Sequence, residues 1–492
     1  MTYVIGIDVG SQSVKAVLLD PEGGLRASAA YPLTMSHPRA GWAEQDPRTW
    51  ILGLTTVIGE VLEIAGLRGD EVGAIALACQ VDGVVPISAV GDPLGPAIIW
   101  LDRRAEVQAE ALVSALGRER LFEITGLVPD ASHSGPKIMW LRENAPDIFA
   151  AATALPPCAG FLVRFLTGEL VLDHANASSS LLYDLRSRQW SNELLEASGL
   201  APAQLGRVLG AGDKAGTLSA YAATATGLST SCVVLVGTGD EHAASLGAGA
   251  VTPGMVTDVT GTAEPVTVAA RELVLDHEGL LETHGHAIDN CYLVENPGFV
   301  SGGSTRWLAD NLLHVAHPTI FELADAAPPG ADGVLFIPAL SGAMTPRWNS
   351  RMRGAFIGLA MPHSSAHLAR AVLEGCAFAL RDITERISAL GLGDGEIRVV
   401  GGGAWSETWM QIKADVTGRP VRRVLVKEAS ALGAAMLAGV GAGTFSDLDD
   451  AVARTVTLAD EPFEANPQRS ALYDESYAHY RSLYDAVEGE LA

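Results

Sequence analysis

The chain has 492 residues, too many for one ordinary hydrophobic core, so two large domains are the default. Lys and Arg number 33 against 58 Asp and Glu, and the net charge of −25 argues against nucleic acid and anionic membrane surfaces as partners. The five cysteines, Cys79, Cys158, Cys232, Cys291 and Cys376, form no C-x-x-C pair, so neither a disulfide framework nor a zinc site is indicated. A phosphate ligand stays open, because backbone N–H groups and a metal ion bind one locally. No signal-like segment opens the chain and no apolar run is long enough to span a bilayer, which predicts a cytoplasmic protein with no membrane partner.

Tyr3 to Asp8 alternates as a strand, Lys15 to Asp20 reads as a second, and Leu25 to Tyr31 as a third beyond the Pro21–Gly24 turn. The first turn, Gly10-Ser11-Gln12-Ser13, is small and hydroxylated and offers N–H and O–H donors to a phosphate. Asp8 closes the first strand and can hold Mg²⁺ through water. Read alone, the same turn is an ordinary Asx-type hairpin. Asp46 and Pro47 then cap and open a helix, behind Trp42 and Glu44 in a loop. Glu71 to Cys79 is a buried strand ending at Gln80-Val81-Asp82-Gly83, a candidate site loop, since ligands gather at the carboxyl ends of such strands. Ala97 to Trp100 is a strand leading into Leu101-Asp102-Arg103-Arg104, where an Asp and an Arg either bind sugar hydroxyls or form a cap with its salt bridge.

Helices follow at Lys137–Asn144, Phe161–Leu166 and Thr217–Thr226. The stretch around which the chain is organised comes next: Val233 to Val236, a buried strand, then Gly237-Thr238-Gly239-Asp240-Glu241. The glycines let the backbone turn and approach a ligand closely. Asp240 falls at or near the N-terminus of the following helix, where backbone N–H groups hold its carboxylate ionised, as a general base or simply as a cap. Pro253-Gly254 is a domain boundary. Met255 to Thr260, Gly261-Thr262-Ala263-Glu264-Pro265 and Val266 to Ala269 repeat the opening strand–turn–strand, which implies a duplicated architecture with two phosphate-facing hairpins. His284-Gly285-His286 reads as polar sheet or loop residues rather than zinc ligands. Gly303 lies in the turn before a helix carrying Trp307, Ser365 to Leu390 is a long amphipathic helix, and Glu396 to Val400 runs into Gly401-Gly402-Gly403-Ala404 and another helix, a nucleotide-binding candidate. It is not the G-x-G-x-x-G fingerprint, so a dinucleotide-dependent dehydrogenase is disfavoured. Ser430 to Gly439 is a small-residue helix, and the chain closes in an acidic helical tail from Asp447.

Together these segments resemble the FGGY family of carbohydrate kinases, and within it the xylulokinases and related pentulose kinases. The resemblance rests on Gly6-Ile7-Asp8-Val9-Gly10-Ser11, Gly41-Trp42-Ala43-Glu44-Gln45-Asp46-Pro47, Trp100-Leu101-Asp102-Arg103-Arg104, Leu166-Thr167-Gly168, Gly237-Thr238-Gly239-Asp240, Gly261-Thr262, Arg353-Gly354 and Gly401-Gly402-Gly403-Ala404, in that order along nearly the whole chain. It implies an α/β fold of two RNase H-like domains of the actin/hexokinase/Hsp70 ATPase type, each a mixed sheet flanked by helices, divided here as 1–250 and 251–492. It implies ATP and Mg²⁺, with Asp240 as catalytic base and Asp8 and Asp240 on the metal side. Gly10, Ser11, Gln12, Ser13 and Lys15 match the first phosphate loop, Gly261 and Thr262 the second, and Gly402, Gly403 and Ala404 the adenosine loop, with Gly303 a further nucleotide-side candidate. Val81, Asp82, Trp100, Asp102, Arg103, Asp240 and Glu241 fall on the sugar side. The family also allows a homodimer.

Three departures bear on the substrate. A Met-His-Gly segment of the xylulokinases is Val81-Asp82-Gly83 here, Glu241 stands where Gln or Asn is frequent, and Glu264 places a carboxylate in the second phosphate loop, either pointing away or helping to hold the metal. The extra carboxylates favour a neutral, hydroxyl-rich acceptor over an acid. The expectation is a pentulose kinase. Kinases of ribulose, a hexulose, glycerol or erythritol are alternatives, as is a non-catalytic ATP-driven switch of the same fold.

Overall fold

The computed structural model describes residues 2–491. Alternating apolar residues build the first strand, β1 (Tyr3–Val9), which pairs antiparallel with β2 (Ser13–Leu19), and β2 pairs with β3 (Leu25–Pro32). Asp46 caps helix α1 (Pro47–Ala65), its carboxylate accepting from the Arg48 N–H, and β4 (Val72–Cys79) then runs parallel to β1. Helix α2 (Ser134–Asn144) belongs to a helical layer with its own core of Leu112, Leu121, Ile138 and Leu194. The sheet is completed by β5 (Lys214–Thr217), β6 (Val233–Leu235) and β7 (Thr238–Gly239), in the order β5-β6-β4-β1-β2-β3 with β7 beside β4. Helix α3 (Asp240–Gly247) leaves β7 directly.

The second half repeats the plan. Strands β8 (Val256–Val259), β9 (Val266–Ala270), β10 (Glu282–Gly285) and β11 (Tyr292–Asn296) precede helix α4 (Gly302–Trp307) and the long α5 (Ser365–Ala389). Then come β12 (Ile397–Val400), helix α6 (Glu407–Thr417), β13 (Val421–Arg423), helix α7 (Ala429–Gly441) and helix α8 (Pro467–Leu491). The order is β10-β11-β9-β8-β12-β13, with β8 antiparallel to β9 and parallel to β12. In each half an antiparallel meander is extended by a strand parallel to its first member, so the duplication expected from the two hairpins is a property of the whole sheets.

Packing does not divide at residue 250. Period-two alternation sends Ile5, Ile7 and Val9 toward Trp50, Leu54 and Val57 of α1. Val4, Ala74 and Ala76 on the opposite face meet Ala431, Ala434 and Leu437 of α7, which comes from beyond residue 251. Helices α3 and α7 approach through Gly247 and Gly433, where an added Cβ would stand 2.0 Å from the Ala429 carbonyl and 1.9 Å from the Ala243 carbonyl.

Other expectations are corrected. Thr217 is the end of β5, paired with Val233, and the helix there starts at Ala220 behind Ser219, whose hydroxyl accepts from the Ala222 N–H. The strand expected at Ala97–Trp100 covers only Ala97–Ile98, with one further in-register bond from the Ile99 N–H to the Ala43 carbonyl before the turn at 100–101. The acidic tail is also core: Tyr473, Tyr477, Tyr480 and Tyr484, spaced four, three and four, bury one face of α8 against Phe378.

Candidate active site

The turn from β6 into β7 is enforced at Gly237. Its φ is 75°, and an added Cβ would stand 2.2 Å from the Leu77 carbonyl oxygen. Asp240 is the first residue of α3 rather than its cap, which is Gly239, and its Oδ1 accepts from the Glu241 N–H at 3.2 Å. Burial, together with the charges of Glu295 and Asp82, pushes its pKa up to about 6, in spite of the backbone N–H groups that favour the carboxylate. The ionised form expected for Asp240 still prevails near neutral pH, with less margin than an exposed carboxylate has.

Asp8 pairs with Ala78 across β1 and β4, and Ala78 pairs with Thr238 across β4 and β7. Asp8 and Asp240 therefore lie at the carboxyl ends of strands two apart, about 10 Å at the usual strand spacing. Asp8 Oδ1 is buried without a hydrogen-bond partner. Burial and the Asp240 charge push its pKa up to about 8, against the pull of Lys15. A buried carboxylate oxygen with no protein donor fits a cation held chiefly by water and phosphate oxygens.

The first turn is braced from behind. Gln45 Nε2 donates to the Ser11 carbonyl at 2.7 Å, and Gln80 Nε2 donates to the Gly10 carbonyl at 3.3 Å and to Gln45 Oε1 at 2.9 Å. Gln12 is exposed, and Gly10, Ser11 and Ser13 are half-buried. Lys15, expected on the phosphate, instead pairs with Glu428 at 2.7 Å. The donors left in this turn are backbone and hydroxyl groups and the exposed Gln12 amide.

The second turn is held by the start of α4. The Gly302 N–H donates to the Gly261 carbonyl and the Gly303 N–H to the Thr262 carbonyl, both at 3.0 Å, so Gly303 supports the loop with the donor it was expected to offer to nucleotide. Glu264 turns away from the cleft. It is fully buried, 2.9 Å from Lys413 Nζ and hydrogen-bonded by the Ser301 hydroxyl. Lys413 also donates to Asp258 at 2.5 Å. Asp258 and Asp8 close the first strands of the two halves, but only Asp8 keeps an oxygen free of protein donors. Beside this network the Gly403 N–H donates to the Thr260 carbonyl at 3.1 Å, and Gly402 has open space at its Cα. Ala404 is buried, its carbonyl accepting from Arg423 Nε at 2.5 Å, so its expected place on the nucleotide is corrected to a supporting one.

On the opposite wall, Asp102 is an internal brace with a salt bridge, the second of its two expected roles, rather than a sugar contact. It is fully buried, and its oxygens accept from the Ala43 N–H at 2.6 Å and from Arg104 Nε at 2.8 Å. Arg104, overlooked in the sequence, also bonds Glu44 at 2.8 Å and lies 3.6 Å over the Trp42 ring. Arg103 is spent on a bidentate pair with Asp130, whose carboxyl it holds down to about 2 against the effect of burial. Trp100 is exposed.

Asp82 sits at a left-handed φ of 62° behind the half-buried Val81. His133 stands 3.4 Å from Asp82 Oδ1, and both ring nitrogens face carbonyl oxygens, Ser179 at 2.8 Å and Val128 at 3.1 Å. Two carbonyl acceptors require N–H at both positions, the imidazolium. Burial opposes that charge, but Asp82, Glu282 and Asp130 outweigh it and raise the pKa from 6.5 to about 9. A raised basic pKa stabilises the fold fully below the ordinary histidine value, and that contribution is lost as pH climbs toward 9. In denaturant titrations, His133→Gln is expected to cost about 3 kcal/mol near pH 6 and almost nothing above about pH 9.5. A pH-independent cost contradicts the pairing.

The C-terminal half supplies the remaining polar groups. His284 Nε2 stands 3.1 Å from Glu295 and 4.0 Å from Glu282, and Glu282 accepts from the Val128 N–H at 2.7 Å. Burial and the facing Glu295, with Asp240 nearby, push the Glu241 carboxyl well above its usual range. The His284 and His286 rings lie 5.7 and 5.9 Å from that of His242. Among the described residues no three His, Cys, Asp or Glu side chains converge to hold a metal ion, and no helix is long and apolar enough to cross a membrane.

Residues 3–247 match the N-terminal domain of the FGGY family of carbohydrate kinases and residues 228–442 its C-terminal domain. The chain is 30% identical over 489 residues to a xylulose kinase of Lactococcus lactis, covering 98% of this chain and 97% of that one. It is 31% identical over 513 residues to a glycerol kinase of Aromatoleum aromaticum, covering 100% of both. The crystal structure of xylulose kinase from Rhodospirillum rubrum superposes with a TM-score of 0.91 at 29% identity over 99% of each chain.

Proposed function

The chain belongs to the FGGY family of carbohydrate kinases, and on that premise we propose that it transfers the terminal phosphate of ATP to a primary hydroxyl of a neutral, pentulose-like acceptor, with Asp240 as general base. The observation that carries this reading is the pair of carboxylates at the end of β1 and just beyond β7. Asp240 is mostly ionised and heads a helix, while Asp8 has a buried oxygen that no protein group satisfies. Asp240 takes the acceptor hydroxyl's proton as that oxygen attacks phosphorus. Asp8 would hold Mg²⁺ through water, and the ion would neutralise phosphate charge when bound. Ser11 and Ser13 and, in the second turn, Thr262 would offer N–H and hydroxyl groups to the phosphates, while Gly10 and Gly261 spend their N–H groups on the Ser13 and Val259 carbonyls and shape the turns, with Gly402 on the nucleoside side.

The relatives' names divide between a five-carbon ketose and glycerol. Several hydrogen-bonding carboxyl groups here, Asp82, Glu295 and Glu241, favour the longer and more hydroxylated substrate. Acidic acceptors would add negative charge beside Asp82, Glu295 and Asp240 and are disfavoured. In steady-state assays kcat/KM should be highest for a ketopentose and roughly 100-fold or more lower for gluconate. A preference for gluconate overturns the neutral-acceptor reading, and a preference for glycerol or erythritol overturns the pentulose.

A further inference from the structure

A cavity of about 280 Å³ opens where the two halves meet, away from the candidate active site, lined by Arg186, Arg188, Arg271, Glu272, Asn290 and Tyr292 among others. Arg186 and Arg188 lie on the turn between the short strands Tyr183–Asp184 and Gln189–Trp190, in the N-terminal half. Arg271 follows β9, and Asn290 and Tyr292 lead into and start β11, in the C-terminal half. The chain carries 58 acidic against 33 basic residues, so free cations are scarce. Yet among the described residues none of these three arginines forms an ion pair.

The turn is built rather than loose. Asp184 Oδ1 accepts from the Arg186 N–H at 2.9 Å and the Ser187 N–H at 3.2 Å. The Tyr292 hydroxyl donates across the seam to the Leu185 carbonyl at 3.3 Å, and the Arg188 guanidinium lies 5.8 Å from the Tyr292 ring centre. Arg188 and Asn290 both have φ of 55°, an uncommon conformation for non-glycine residues, and together they set two polar side chains on one cavity. Among the residues that line the cavity three guanidinium groups face one carboxylate, Glu272, so the lining itself favours an anion such as a phosphate monoester. Guanidinium forks match phosphate oxygens. The volume exceeds that of phosphate alone and leaves room for an attached small organic group.

We propose that this cavity is a second anion site, which binds a phosphate dianion, free or as the ester of a small metabolite, and bridges the two halves of the chain. The β10–β11 hairpin gives it a route to the acceptor. Gly285 pairs with Tyr292 at the cavity end, and Glu282 pairs with Glu295 at the other, three residues along. A ligand held at Tyr292 and Arg271 therefore acts on the strands that carry Glu282, His284 and Glu295, and shifts the acceptor KM. This second effect rests on the proposed function; binding does not.

Isothermal titration of the full chain with inorganic phosphate and with ribulose 5-phosphate tests the site, with the cleft filled by Mg²⁺ and a non-hydrolysable ATP analogue. Saturable binding is expected, weakened roughly tenfold in Arg271→Ala and again in Arg186→Ala, both exposed positions whose removal leaves the fold intact. Tighter binding of the ester names an ester as ligand, and equal or tighter binding of phosphate names the free anion. No binding by the wild type, or equal binding by the variants, overturns the site. The link to the acceptor predicts that phosphate changes acceptor KM in the wild type and not in Arg271→Ala; an unchanged KM in the wild type overturns the link alone.

Discussion

Asp240→Asn is expected to lower kcat about 10³-fold, the usual range for a lost general base, while leaving nucleotide binding and folding intact. The amide keeps the shape and can still accept from the Glu241 N–H. It cannot take a proton. The carboxylate's raised pKa means that its charge costs folding energy among Glu295 and Asp82, so the neutral amide should match or exceed the wild type in thermal stability. Steady-state rates alongside ATP-analogue titration and a melting curve check all three. A kcat within tenfold of wild type removes Asp240 from the role of base.

The second large effect lies under the other phosphate hairpin. Lys413→Met leaves Asp258 and Glu264, both fully buried, with no counter-charge. Removing one partner of a buried charge cluster typically costs 3–5 kcal/mol, so a loss of about 4 kcal/mol is expected. Burial and Asp258 already push Glu264 up to about 7 against the pull of Lys413, so adding Glu264→Gln to Lys413→Met should restore part of the loss. Denaturant midpoints at constant m-value measure both variants. If Lys413→Met is neutral, the network does not hold the Gly261–Thr262 turn in place.

The difference between Asp8 and Asp258 shows what a single sequence reveals. Both end an opening strand before a small, hydroxylated turn, and the hairpins were legible because strand alternation and turn chemistry are local. Which carboxylate faces the cleft depends on Lys413, 155 residues from Asp258 and inside a helix that reads as ordinary. Asp240 was legible for the same local reason, as a strand, two glycines and a helix start. Arg104 reaches Glu44 across 60 residues, and His133 reaches Asp82 across 51. Glu295 comes beside Asp240 and Glu241 from the other half of the chain, with His284 and Glu282 next to it. No periodicity announces such pairings, so the local sequence left Asp102 and Arg103 open between sugar contacts and a cap with its salt bridge, and distant partners decide it. The tyrosines of α8 did carry a helical spacing, masked by the acidic residues between them.

The central claim is phosphoryl transfer from ATP to a carbon-bound hydroxyl through Asp240. It is tested most directly by ³¹P NMR of the wild-type reaction with Mg·ATP and a neutral ketopentose. The account predicts ADP and, in equal amount, a phosphomonoester signal split by the two protons of an adjacent CH₂ group, with neither formed by Asp240→Asn on the same timescale. Inorganic phosphate as the sole product beside ADP, at the same rate with or without acceptor, would contradict it and leave an ATPase in place of a sugar kinase.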